Sequence, residues 1–336
     1  MYAMELLAPQ RVDEADPLVL AESADPQPGP GQVRIRVRAC GVCHTDLHIV
    51  EGELELPLLP LVPGHQVVGV IEACGPGVTQ WAIGDRVGVP WLHATCGHCD
   101  YCQNGRENLC DQARFTGLHV PGGYADAMLA QADFVCRLPD DFADEMAAPL
   151  LCAGIIGYRA LRLSDVVPGQ RLALFGFGAS AHITIQVARH WGCEVYVLTR
   201  SAEHRQHAAA LGAAWVGQPH ETPPHAVHGA INFTPSGAIT QAALRILRKV
   251  GTVAMAGIHS SPLPQTDSHL LYGERTIRSV ANATRQDAEE LLRLAHTIPI
   301  HTHVEVFSLF EEANQVLRRL KRSQIQGAAV LKVQTP

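Results

Sequence analysis

Apolar and polar positions alternate in short runs through residues 1–150. Val33, Ile35 and Val37 fall on one face of Gln32–Ala39, which predicts a half-buried strand. Val67–Ala73 and Arg86–Val89 repeat the pattern, divided by turns at Gly75-Pro76-Gly77 and Gly84-Asp85. The whole stretch reads as short strands between Gly- and Pro-rich turns. From residue 154 onward the period changes. Strand Leu172–Phe175 leads into helix Ser180–Trp191, whose apolar stripe is Ala181, Ile183, Val187, Ala188 and Trp191. Strand Glu194–Leu198, helix Ala202–Leu211, strand Ala230–Phe233, helix Ala238–Arg248 and strand Thr252–Ala256 follow, with Ile277–Val280 as one more strand. That alternation implies an α/β fold, a doubly wound parallel sheet with helices on both faces. Helices Gln286–His296 and Phe310–Ser323 and strands His303–Phe307 and Ala328–Val333 close the chain. The pattern leaves open whether they extend that sheet or return to the first domain.

A length of 336 residues predicts two domains. The apolar runs, such as Leu56–Val62, are short and broken by proline, so no membrane span is expected. The formal charge of −7 comes without a basic block, which argues against nucleic acid or an anionic membrane as a partner. The N-terminus lacks a basic start followed by an apolar run, so a cytoplasmic, reducing setting is expected. The ten cysteines then read as metal ligands plus core thiols. Most of the eighteen histidines, such as His204 and His207, fall singly in polar or helical stretches and read as solvated or hydrogen-bonded side chains.

Four of the cysteines change the picture. Cys96, Cys99, Cys102 and Cys110 form C-x2-C-x2-C-x7-C, close enough to complete a tetrahedral shell around one Zn²⁺ without help from elsewhere. Two disulfides, or four unrelated thiols, are the alternatives; a reducing setting weighs against the first and the clustering against the second. A structural zinc lobe is the expectation.

A second motif lies where the helical period begins. Leu172–Phe175 runs into Gly176-Phe177-Gly178-Ala179-Ser180-Ala181, which opens a helix. The glycines permit a tight turn and close approach of a pyrophosphate, and the helix N-terminus supplies free N–H groups. Alanine at Ala181, the third glycine position, still allows close helix–strand packing. The next strand ends Val197-Leu198-Thr199-Arg200-Ser201, without the carboxylate that would hydrogen-bond the ribose of NAD. Thr199 and Ser201 can donate to a 2′-phosphate, and Arg200, with Arg205, can pair with its charge. NADP(H) is therefore predicted over NAD(H).

Three further segments carry ligand chemistry: Cys43-His44-Thr45-Asp46-Leu47-His48, Gly64-His65-Gln66 and Leu151-Cys152-Ala153-Gly154. Taken with the cysteine run, the nucleotide motif, Gly64-His65-x3-Gly69-x5-Gly75, Gly84-Asp85-Arg86-Val87 and Pro90-Trp91, they resemble the zinc-dependent alcohol dehydrogenases of the medium-chain dehydrogenase/reductase superfamily. The resemblance covers essentially the whole chain and is nearest the bacterial, propanol-preferring branch. It implies a mostly-β GroES-like catalytic domain over residues 1–153 with the zinc lobe at 92–112. A Rossmann coenzyme domain over 154–283 would be inserted before a return to the catalytic domain at 284–336.

The resemblance further implies two zinc ions per subunit, with the catalytic one held by Cys43, His65 and Cys152 and a fourth position open. The reaction would be hydride transfer between a small alcohol or aldehyde and the nicotinamide. Thr45 matches the hydroxyl that takes the alcohol proton, and His48 the histidine that passes it to solvent by way of the ribose. Asp46 matches the carboxylate that orients His65. His44 matches a pyrophosphate contact, and Trp91 a wall of the alcohol pocket. Ile156 stands where relatives place a threonine against the nicotinamide. Gln66 replaces a glutamate behind the zinc, and the last strand, around Ala328, lacks an arginine many relatives aim at the pyrophosphate. A homotetramer, or a dimer, is implied. A polyol or sugar dehydrogenase of the same fold is the alternative, against which Cys152 argues, since those relatives commonly carry glutamate there. A non-catalytic zinc- and nucleotide-binding protein is the other, against which Thr45 and His48 argue.

Overall fold

The computed structural model describes residues 1–258 and 260–334. Two compact units emerge, one from residues 1–152 with 282–336 and the other from residues 153–281.

The second unit is built on a six-stranded sheet in the order Trp215–Gly217, Glu194–Leu198, Arg171–Phe175, Val227–Asn232, Leu247–Met255, Thr276–Ser279. Every neighbouring pair is parallel. Numbered within this unit, the order is 3-2-1-4-5-6, so the direction of winding reverses beside Arg171–Phe175. That strand is followed by helix Ala179–His190, whose Ala181, Ile183 and Val187 are buried. Helix Gly237–Ile246 stops two residues before the predicted Arg248, because Leu247 already pairs with Val227 on the adjacent strand. Trp215–Gly217 is three residues long, too short to show a period.

The first unit carries a seven-stranded sheet. Its long central strand, Gln32–Val42, continues past the predicted Ala39 and pairs antiparallel with Val67–Cys74, Ala127–Gln131 and Ala328–Lys332. The pairing Ala329↔Val42 and Leu331↔Cys40 places the C-terminal strand in this sheet. Helix Leu309–Lys321 lays Leu309, Ala313, Val316 and Leu317 into the same core, at the i, i+4, i+7, i+8 spacing of one helix face.

Not all of the first unit is strand and turn. Helix His44–Val50 lies among the strands, started by a capping box in which Cys43 Sγ accepts from a backbone N–H and Asp46 accepts from the Cys43 N–H. One helical run, Asp144–Leu163, has the length and mean hydropathy (20 residues, 1.3) of a membrane span, which the sequence reading did not anticipate. It is three successive pieces, Asp144–Ala147, Ala148–Leu151 and Ala153–Leu163, the last belonging to the second unit, and 67% of its apolar window is buried inside the protein, as in an ordinary core helix.

Candidate metal and nucleotide sites

Gln32–Val42 delivers Cys43 to the start of helix His44–Val50, where Thr45 N–H points at its sulfur at 3.3 Å. A helix N-terminus favours the thiolate. His65 arrives from the turn at Gly64, whose φ of 97° belongs to the left-handed region. A Cβ there would also come within 2.4 Å of the Tyr124 ring, so glycine is required on both counts. Cys152 follows the short helix Ala148–Leu151. The three donor atoms lie within 4.8 Å of one another although their positions span more than a hundred residues of sequence.

His65 is fully buried, with Nε2 3.2 Å from Cys43 Sγ and Nδ1 3.1 Å from Asp46 Oδ1. The second approach is an ion-pair distance that falls short of strict hydrogen-bond geometry, so Asp46 acts on the ring chiefly through its charge. Asp46 is itself fully buried and accepts from Cys43 N–H at 2.9 Å and Gly64 N–H at 3.2 Å. Its carboxylate thus fixes the backbone on both sides of the ligand pair.

Burial would lower the pKa of His65, but the charges of Asp46 and Cys43 outweigh it and hold the ring well above its usual range. A hydrogen bond from the Cys152 thiol holds Cys43 well below the ordinary thiol range, against the opposing effect of burial, and pushes Cys152 well above. These opposed shifts mark a buried cluster of anions and donors that favours a cation among them, and the soft S/N/S donor set suits zinc.

The four-cysteine segment has a different character. Cys99 Sγ and Cys102 Sγ are 3.5 Å apart, and Cys96 Sγ and Cys102 Sγ 3.9 Å. Zinc–sulfur bonds of about 2.3 Å in a tetrahedron put neighbouring sulfurs ~3.8 Å apart. All four atoms fall within 4.8 Å of one another. Backbone N–H groups of His98 and Cys99 pull Cys96 down to about 6. The segment is fastened to the rest of its unit by Glu107, which accepts from Arg285 N–H at 2.8 Å, from Nε at 3.1 and 3.0 Å and from Nη2 at 2.7 Å.

Residues 29–140 match the alcohol dehydrogenase GroES-like domain, and residues 181–297 match the zinc-binding dehydrogenase domain. The chain is 42% identical to a probable alcohol dehydrogenase of Mycobacterium tuberculosis, over 98% of its own length and 97% of the relative's. It is 40% identical to an alcohol dehydrogenase of Geobacillus stearothermophilus, covering 94% and 96%. The chain belongs to the zinc-binding alcohol dehydrogenases. A cobalt- and zinc-bound thermostable alcohol dehydrogenase of Pyrobaculum aerophilum superposes with a TM-score of 0.88 at 26% identity, over 99% of each chain. The GroES-like plus Rossmann architecture and the Cys-cluster with Cys–His–Cys pairing are those of this family.

Around the metal candidates, this alcohol dehydrogenase places Thr45 half-buried one residue into the helix, with its side chain hydrogen-bonded toward Cys43. His48, one turn on, is largely buried and its Nδ1 meets the carboxylate of Glu53. His44 is exposed at the first helical position. The Trp91 ring stands edge-on to His65 at 4.8 Å and stacks on Phe115 at 4.9 Å and 12°. Gln66 is buried behind His65, so close to Gly41 that a Cβ there would lie 2.9 Å from its side-chain Cδ. Ile156 is half-buried on helix Ala153–Leu163 of the other unit.

In the nucleotide half, Gly176 has a φ of 83°, and a Cβ on Gly178 would meet nothing within 4 Å. Helix Ala179–His190 has no side-chain cap, which leaves its first N–H groups available. The Phe177 ring turns inward against His207, so this residue faces a ligand only through its backbone. Thr199 is buried and Arg200 exposed. Arg205 Nη1 is committed to the carbonyls of Thr199 and Arg200, at 2.7 and 2.8 Å. Ser201 caps helix Ala202–Ala210 and donates to Glu203 at 2.6 Å.

Glu53, Phe115, Asn282 and the Glu107–Arg285 clasp were missed by sequence reasoning. None belongs to a spaced ligand motif, and each matters through a partner distant in sequence or brought in by a turn.

Proposed function

We propose that this zinc-binding alcohol dehydrogenase interconverts small alcohols and aldehydes by hydride exchange with a nicotinamide dinucleotide, with zinc held by Cys43, His65 and Cys152. The observation that carries the reading is the convergence of these three donors beside the half-buried Thr45 and the edge of Trp91. A second zinc, closed off by Cys96, Cys99, Cys102 and Cys110, is structural.

When bound, the catalytic zinc supplies Lewis-acid polarisation of the substrate oxygen. The chain's own residues do the rest. The charge of Asp46 beside Nδ1 holds the His65 ring with Nε2 toward the Cys43 sulfur, where it would be a zinc ligand. Thr45 takes the alcohol proton, since a hydroxyl can accept and donate at once. His48 passes it outward by way of the nicotinamide ribose, and Glu53 holds the His48 ring in place. Trp91 walls the alcohol pocket, and Ile156 is the apolar residue assigned to press on the nicotinamide. The backbone from Gly176 to Ala179 receives the pyrophosphate, with His44 a further contact.

NADP(H) is the preferred cofactor on this reading, supported by the exposed Arg200 cation at the end of a strand without a carboxylate. Arg205 braces the loop through Nη1 while adding its charge, and Glu203 beside Ser201 opposes a dianion, so the preference rests chiefly on Arg200. A cytoplasmic setting belongs to this reading, because six of the ten cysteines are assigned to zinc and a reducing compartment keeps such ligands from pairing with one another. The homotetramer, or dimer, rests on the resemblance to the bacterial branch.

Elemental analysis should give two zinc ions per chain, and adding an aldehyde should oxidise NADPH with a higher kcat/KM than NADH. A clear NADH advantage sinks the cofactor preference alone. No turnover on a broad alcohol and aldehyde panel, at full zinc loading, sinks the reaction.

A further inference from the structure

Three restraints act on the Trp91 ring, and only two are apolar. Stacking on Phe115 at 12° fixes the plane of the indole but barely resists its rotation or sliding within that plane. The edge-on contact with His65 limits approach from one side. The third restraint is directional: Nε1 donates to Asn282 Oδ1 at 3.1 Å. Neither stacked ring supplies a fixed direction of this kind.

Asn282 is well placed to hold that direction. Its φ of 55° lies in the left-handed region, which asparagine tolerates better than a branched apolar residue. Two residues later Thr284 and Asp287 form a buried capping box at the start of helix Arg285–Ala295. Arg285 is locked to Glu107 by four hydrogen bonds. The acceptor therefore hangs from a fixed helix start.

We propose that Asn282 is a positioning residue that sets the alcohol size limit by locking the in-plane orientation of Trp91. The inference rests on Trp91 as the pocket wall. With the lock in place the indole presents one constant edge beside His65, and bulky alcohols are refused. Without it the ring turns in its own plane on Phe115, and the pocket admits them.

The test is the ratio of kcat/KM for benzyl alcohol over 1-propanol, with thermal midpoints recorded to establish that each variant is folded. Asn282→Gly keeps the left-handed backbone and removes only the acceptor; the ratio should rise about fivefold, the size a single neutral hydrogen bond sets. Trp91→Phe removes the donor and should raise the ratio similarly, and Asn282→Gly in that background should add nothing. Asn282→Asp restores an acceptor and should return the ratio to that of the parent. An unchanged ratio in Asn282→Gly, with a changed one in Trp91→Ala, overturns the lock but keeps the wall. An unchanged ratio in Trp91→Ala overturns the wall and the lock with it.

Discussion

The two cysteine-bearing sites of the first unit are assembled in opposite ways. Cys96, Cys99, Cys102 and Cys110 come from one short segment, most of them partly exposed, and their sulfurs surround one another. Cys43, His65 and Cys152 come from a strand end, a glycine turn and the end of a short helix. The first site supplies a whole shell and leaves no place for a substrate. The second supplies three donors, rests on a buried carboxylate and leaves one position to be filled. On the proposed reading, local sequence suffices for a metal that stiffens a lobe, whereas a metal that does chemistry needs the sheet to aim its ligands.

The comparison breaks most sharply if ligands are removed one site at a time. Cys152→Ser should reduce zinc from two ions per chain to one and lower kcat/KM roughly 10³-fold, the several kcal/mol a Lewis acid supplies, with the fold kept. Cys110→Ser should remove the other ion and lower the thermal midpoint by about 10 °C, while the molecules still folded keep their turnover. Equal losses of activity in the two variants, at equal folded fractions, would erase the distinction.

A smaller effect probes the support beneath the second site. Asp46→Asn removes the charge beside His65 and should weaken zinc at that site about 10- to 100-fold, read by chelator competition, with the four-cysteine ion unaffected.

The smallest expected effect falls on the short strand Leu92–Ala94, just ahead of the four-cysteine segment in sequence. His93 is buried, its Nδ1 has no hydrogen-bond partner among the described residues, and burial, helped by Arg114, depresses its pKa from 6.5 to about 4. The unfolded chain then binds a proton between about pH 6.5 and 4 that the folded chain refuses, so stability falls as pH falls through that window. At pH 5 this amounts to about 2 kcal/mol relative to neutral pH. His93→Leu should flatten the loss of thermal midpoint between pH 7 and pH 5; an unaltered slope would show that His93 does not contribute it.

Legibility in the sequence followed the same division. The four-cysteine motif and the strand–glycine–helix motif are contiguous, so spacing and period reveal them directly. The Cys–His–Cys set became readable only through resemblance, because no local rule joins Cys43 to Cys152. Periodicity also missed helix His44–Val50, whose start is a cysteine cap and whose short length hides its stripe. The Rossmann strands were placed within a few residues since their continuous apolar runs are characteristic of a sheet covered on both faces. For Arg205, composition shows a cation but not that its Nη1 is held by the Thr199 and Arg200 carbonyls.

The pairing of Ala328–Lys332 with Gln32–Val42 has a consequence for how the molecule is made. Residues 153–281 are contiguous and can acquire their structure while translation continues. The strand that presents Cys43 instead waits for residues 328–332, which lie beside Cys40, Gly41 and Val42. That edge of the strand closes only after residues 328–332 have been synthesised. A chain interrupted before residue 328 can form its nucleotide fold, while the strand that leads to Cys43 keeps its pairing to Val67–Cys74 and, at Ala39–Val42, lacks a neighbour on its other edge.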